Sequence, residues 1–97
     1  MEDRLASLRR ATASALLEGA GATPAELRQA IARGTAPPEL LPLIQKIRSR
    51  PYAVTDEDLD ALRSRHTEDQ LFEIVVAAAF GAASDRLAAA HRALEEA

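Results

Sequence analysis

Residues 68–83 read Glu68-Asp69-Gln70-Leu71-Phe72-Glu73-Ile74-Val75-Val76-Ala77-Ala78-Ala79-Phe80-Gly81-Ala82-Ala83, and how this stretch folds decides the architecture. Leu71, Phe72, Ile74, Val75 and Val76 cover most of a helical circumference, and a helix apolar all round is a buried one. Thr67 precedes it, with Gln70 three residues on, the signature of a capping box that starts a helix. Beyond Asp85 the pattern turns amphipathic, and Leu87, Ala90 and Leu94 continue the stripe. The spacing predicts one long helix from Thr67 to about Leu94, buried at the centre of the fold. The apolar run from Leu71 to Ala83 contains Glu73 and is too short and too polar to span a bilayer.

Working outward, two more threonines stand three residues before an acid: Thr55-Asp56-Glu57-Asp58 and Thr23-Pro24-Ala25-Glu26. Each predicts a helix start in which the hydroxyl accepts from an orphan backbone N–H. Pro24 then takes the first helical position, where its missing N–H costs nothing. The first segment, about Glu2 to Glu18, carries Leu5, Leu8, Thr12, Ala15 and Leu16 at helical spacing and stops at Gly19 and Gly21. The second runs from Pro24 to about Arg33, buries Leu27, Ala30 and Ile31, and ends at Gly34. Pro37-Pro38 is a rigid link. Leu40, Leu41, Leu43, Ile44 and Ile47 mark a third helix, with Pro42 in its first turn, ending before Pro51. A fourth, Asp56 to about Arg65, buries Leu59 and Leu62.

The 97 residues fit a single domain spanning 1–97. The hydrophobic fraction is 47%, but much of it is alanine, which favours helix and buries little area. Such a chain gains less from its own core than a leucine-rich bundle, and association with a second copy compensates. Net charge is -3, against the basic balance expected of a nucleic-acid binder. A helix-turn-helix reading of the last two helices fails because the recognition helix would open on Glu68 and Asp69. There is no cysteine, which removes disulfide, zinc-thiolate and redox chemistry from the single chain. The first turn, Met1-Glu2-Asp3-Arg4, does not read as a secretory leader, and a cytoplasmic location is expected.

Few residues carry chemistry. Asp56, Asp58 and Asp60 have the spacing that opens a calcium-binding loop, but its sixth and twelfth positions hold Ala61 and Thr67. Acids at a positive helix end explain the cluster. His66, at a helix junction, and His91 are the two histidines. Glu73 stands out, because a carboxylate inside an apolar run is costly without a partner. It lies about 27 Å along the helix from His91, too far to pair within one chain. Two copies crossing antiparallel about Ala82 would bring them together, with Ala78, Ala79, Phe80, Gly81, Ala82 and Ala83 as the interface. The simpler expectation places Glu73 at the core's edge, reaching solvent or an arginine.

Pro38-Glu39-Leu40-Leu41-Pro42, then Tyr52-Ala53-Val54-Thr55-Asp56-Glu57-Asp58-Leu59-Asp60-Ala61-Leu62-Arg63, then Glu68 to Ala79 and on through Gly81 to Arg86-Leu87, resemble the carboxymuconolactone decarboxylase and alkylhydroperoxidase D (AhpD)-like superfamily. Order and spacing carry the likeness, which covers about residues 38–97; no single motif does. The resemblance implies an all-helical, oligomeric protein. Active members of that family reduce peroxides with a Cys-x-x-Cys pair assisted by histidine and glutamate, and none of those positions carries over to a chain without cysteine. Where the family often has glycine before its last long helix, this chain has Arg65-His66-Thr67.

The expectation is therefore an all-α, five-helix AhpD-like bundle with a long buried C-terminal helix. It is read as a non-catalytic, oligomer-forming binding or scaffolding module, with a second copy or another protein as partner and with neither nucleic acid nor membrane. No catalytic residue, metal ligand or cofactor is assigned. The competing reading is a cysteine-independent enzyme, or accessory subunit of the carboxymuconolactone decarboxylase-like family, using Glu73 or His66 on a small molecule.

Overall fold

A computed structural model of the chain describes residues 2–96; the side chains of Glu2, Asp3, Leu5 and Ala6 lie outside the description. Five α-helices follow in order: α1 (Glu2–Glu18), α2 (Ala25–Ala32), α3 (Leu41–Ser49), α4 (Asp56–Asp60) and α5 (Glu68–Glu96), with a short 3-10 turn at Pro51–Ala53. The described residues contain no strand, so the fold is all-α as the periodicity predicts.

Local signals set most of the boundaries. Thr55 accepts from the Asp58 N–H while the Asp58 carboxylate accepts from the Thr55 N–H, a complete capping box. Thr67 and Gln70 repeat it, with the Gln70 N–H donating to Thr67 Oγ1 at 3.1 Å and the Thr67 N–H to Gln70 Oε1 at 2.9 Å. Gly34 closes α2 with a φ of 90°, the left-handed geometry that glycine adopts without strain. The Gly34 N–H donates to the Ile31 carbonyl and the Thr35 N–H to that of Ala30, both bonds of a Schellman motif. α4 is shorter than its sequence suggests. After Asp60 the chain tightens into successive three-residue turns, and these carry Leu62 into the core.

The core lies where α2 and α3 cross the first half of α5. Ile31, Leu40, Ile44 and Ile74 are its largest fully buried side chains, with Leu43, Ile47, Leu62, Leu71, Ala77 and Ala78 around them. Each fully buried leucine or isoleucine contributes roughly 1.5–3 kcal/mol. The tightest approach is at Gly81. A Cβ there would sit 2.0 Å from the carbonyl oxygen of Ala32, so the end of α2 rests directly on the α5 backbone. Arg48 fastens the same corner, donating to the Ala32 carbonyl at 3.0 Å and pairing with Asp85.

α5 is one unbroken rod, but it is not buried along its length. Phe72 is 69% exposed, Ala79 is open to solvent, and every residue from Ala83 to Glu96 is exposed, including Leu87 at 48% and Leu94 at 77%. The stripe Leu87–Ala90–Leu94, expected to be buried, therefore faces water. The physical reason is length. Twenty-nine residues make about 44 Å of helix, which accounts for the 46 Å long axis. Two short helices, of eight and nine residues, cannot cover a rod that long. α1 does not cover it either: its predicted apolar face (Leu8, Thr12, Ala15) is exposed, with only Leu16 half-buried, and Leu5 falls outside the described side chains. The radius of gyration, 14.6 Å, exceeds the roughly 12–13 Å of a compact chain of this size.

Gly81 gives the first prediction. Alanine gains up to about 1 kcal/mol of helix propensity over glycine. Here the added methyl meets backbone rather than a yielding side chain, and overpacking of that kind costs about 1–3 kcal/mol. Gly81→Ala should therefore lower the midpoint of urea unfolding, whereas Ala83→Gly, outside the crossing, should cost only its helix propensity.

Candidate functional site

The most organised polar cluster of the fold joins the α1–α2 loop to α5. Glu73, on the second turn of α5, points at the loop Gly19-Ala20-Gly21-Ala22-Thr23. Its carboxylate accepts from the Ala22 N–H at 2.6 Å, the Thr23 N–H at 2.9 Å and the Thr23 hydroxyl at 2.6 Å. Gly21 passes so close that a Cβ would lie 2.8 Å from Glu73 Oε1. Gln70, one turn earlier, donates to the Ala22 carbonyl at 3.3 Å. The loop is thus stitched to α5 from both sides.

Arg28 completes the arrangement. It is buried to 3% exposure on the apolar side of α2, with Nε 3.8 Å from Glu73 Oε1. Its terminal nitrogens donate to the Leu16 and Gly19 carbonyls, groups that the end of α1 leaves without helical partners. Gln29 adds a bond to the Leu17 carbonyl at 3.1 Å. One arginine and one carboxylate thereby tie together the end of α1, the start of α2 and the second turn of α5.

The predicted capping role of Thr23 is corrected by this geometry. Pro24 is the residue flanking α2, and no side chain caps that helix. Thr23 stands one residue before the Pro24 that flanks α2, and its hydroxyl donates to the half-buried Glu73 carboxylate. Of the two expectations for Glu73, the intrachain one describes its place: it sits half-buried at the core's edge, beside an arginine.

The Thr23 hydroxyl, the Ala22 and Thr23 N–H groups and the Arg28 charge hold the Glu73 carboxyl below its ordinary 4.5, against a desolvation that pulls the other way. A carboxylate so held is a poor proton acceptor, and three of its roughly four lone-pair positions are already taken. The chemistry it offers is cohesion.

The other sequence-derived candidates do not gather around it. His66 is half-buried with Nε2 lacking a hydrogen-bond partner, 3.8 Å from Glu39, which also receives Arg65. His91 lies on the exposed end of α5, 3.1 Å from Glu95. Asp58 of the acidic triplet is half-buried and takes Lys46 Nζ at 2.9 Å; that bond and the Thr55 N–H lower its pKa. Among the described residues no group of three or more His, Asp or Glu side chains is placed to hold a metal ion. Of the alanine-rich stretch proposed as an interface, Ala78, Gly81 and Ala82 are buried within the chain, so the close approach that Gly81 permits is used by α2. Phe80 is half-buried, and Ala79 and Ala83 remain exposed.

Two residues that the sequence did not single out matter here. Arg28 interrupts the apolar face between Leu27 and Ile31, a signal of the same kind as Glu73 in its own run. Arg33 helps line an open cavity of about 310 Å³ beside the Gly81 crossing, with Leu17, Gln29, Phe80, Ser84 and Asp85. A second cavity, about 250 Å³, lies under Phe72 against Leu59, Arg63 and Val75.

No family model, no curated protein and no solved structure matches the chain.

Glu73 sets a pH dependence. A depressed carboxyl pKa contributes stability that is present above the ordinary value of 4.5 and is lost as pH falls through the lower folded value. Glu73→Gln leaves Arg28 buried without its counter-charge, so at pH 7 it should cost about 2–4 kcal/mol in chemical denaturation. That difference from the parent should narrow below pH 4, as the parent loses its own carboxylate. A difference that stays constant from pH 7 to pH 3 would show that the carboxylate carries no such linkage.

Proposed function

We propose that this chain is a non-catalytic helical binding or scaffolding module that works as an oligomer. The observation that carries the reading is the bare second half of α5: fourteen exposed residues, from Ala83 to Glu96, with Leu87 and Leu94 open to water. A single helix of that length has no tertiary cover, and helices in proteins draw most of their stability from packing an apolar face. The resemblance to AhpD-like proteins supports the same reading through its helix order and its oligomeric habit, and the absence of cysteine separates it from their thiol chemistry. Among the described residues no helix is long and apolar enough to cross a membrane.

The enzymatic alternative requires a titratable group facing a cavity. Neither of the two cavities described above is lined by Glu73 or His66, and the Glu73 carboxylate is engaged by its own loop. Native mass spectrometry of the purified chain separates the two readings. A ligand-free oligomer that dissociates on dilution is the expected result. A monomer retaining a bound small molecule would reverse the ranking.

A further inference from the structure

The exposed end of α5 carries its own register. Phe80, Leu87 and Leu94 recur every seventh residue, and alanine follows three residues after each of them, at Ala83, Ala90 and Ala97. That is the two-position seam of a coiled coil, with one position large and the other small. Leu87, Leu94, Ala83 and Ala90 are all exposed.

We infer that the ends of α5 from two copies pack antiparallel, crossing between Ala88 and Ala89, with Leu87 of each copy over Ala90 of the other and Leu94 over Ala83. This rests on the self-association proposed above and says where it occurs. The crossing lies about one heptad beyond the Ala82 position suggested by the sequence, because Ala78, Gly81 and Ala82 are already covered by α2.

Three observations select a second copy as the occupant, and this orientation. Antiparallel pairing sets every leucine against an alanine, whereas parallel pairing stacks leucine on leucine and alanine on alanine, leaving alternate layers crowded and loose. In the same register Glu95 and Glu96 of one copy come opposite Ala82 and Gly81 of the other, beside the open cavity to which Arg33 contributes. Arg33 is exposed and has no ion-pair partner among the described residues, and the last turn of α5 has acids and no base. Parallel pairing would instead bring four carboxylates together. Finally, the stripe and its acceptor sit on one chain at mutually matching positions, so a two-fold axis satisfies both at once, as an isologous interface requires.

The test uses the whole chain. Sedimentation equilibrium of the parent gives its dissociation constant. Leu87→Ala with Leu94→Ala changes solvent-exposed positions and should keep the helical circular dichroism and thermal midpoint of the monomer while weakening association about a hundredfold. Arg33→Glu alone, and Glu95→Arg with Glu96→Arg, should each weaken association about tenfold, and combining them should restore it. Because the chain has no cysteine, a mixture of Leu87→Cys and Ala90→Cys chains should oxidise to the mixed disulfide in preference to either self-pair. If the parent stays monomeric at every concentration, both the self-association and this interface fall. An oligomeric parent whose constant ignores the leucine and charge variants, or whose Leu87→Cys chains cross-link to themselves, keeps the scaffolding reading and overturns the interface.

Discussion

A carboxylate planted in an apolar helix must find partners, and the partners that Glu73 finds determine the path of the first thirty residues. Its oxygens take two backbone N–H groups and a hydroxyl from one short loop. That docks the loop on α5, and Arg28 then reaches back to the carbonyls at the end of α1. Beyond this junction α1 has little cover among the described residues, where Leu8, Thr12 and Ala15 are exposed. The Gly81 crossing does the same service at the other end of α2, by contact rather than charge. Two small features thus position α2 along α5, and the core of Ile31, Ile44 and Ile74 fills the space between.

The division of α5 into a covered and a bare half follows from composition as much as from geometry. Alanine makes helix cheaply in entropy and adds little burial. A chain rich in it can extend a long rod but cannot clothe it. The first half of α5 has isoleucine, leucine and valine facing α2 and α3. The second half has mainly alanine and charge, with leucine returning only every seventh residue. That spacing suits one further helix rather than a surrounding core.

Much of this could be read in the sequence, and the reason is locality. Thr55, Thr67 and Gly34 act on backbone groups within a few residues of themselves, so their effects appear in the order of the letters. The continuity of α5 is legible for the same reason. What escaped was decided at long range. Thr23 carries the same local signal as the other two threonines, but α2 begins one residue later than that signal places it, and the Thr23 N–H and hydroxyl are anchored by a carboxylate fifty residues away. Gly81 permits a close approach, as its sequence context announces, while nothing local says that α2 arrives there rather than a second copy. Burial of Leu87 and Leu94 likewise depends on how much of the chain is left to cover them, a sum over the whole fold. The site was half legible: Glu73 was marked by its surroundings, and Arg28, its counterpart, was marked in the same way by Leu27 and Ile31.

α5 is one helix covered by its own chain up to Ala82, and the central proposal is that a second copy covers it beyond. Residue-resolved amide hydrogen exchange across a dilution series addresses it directly. Protection from Leu71 to Ala82 should be high and independent of protein concentration, while protection from Leu87 to Leu94 should be weak in dilute solution and rise as the chain is concentrated. Equal protection along the whole of α5 in the dilute monomer, or a far end that exchanges fast at every concentration, would contradict the account.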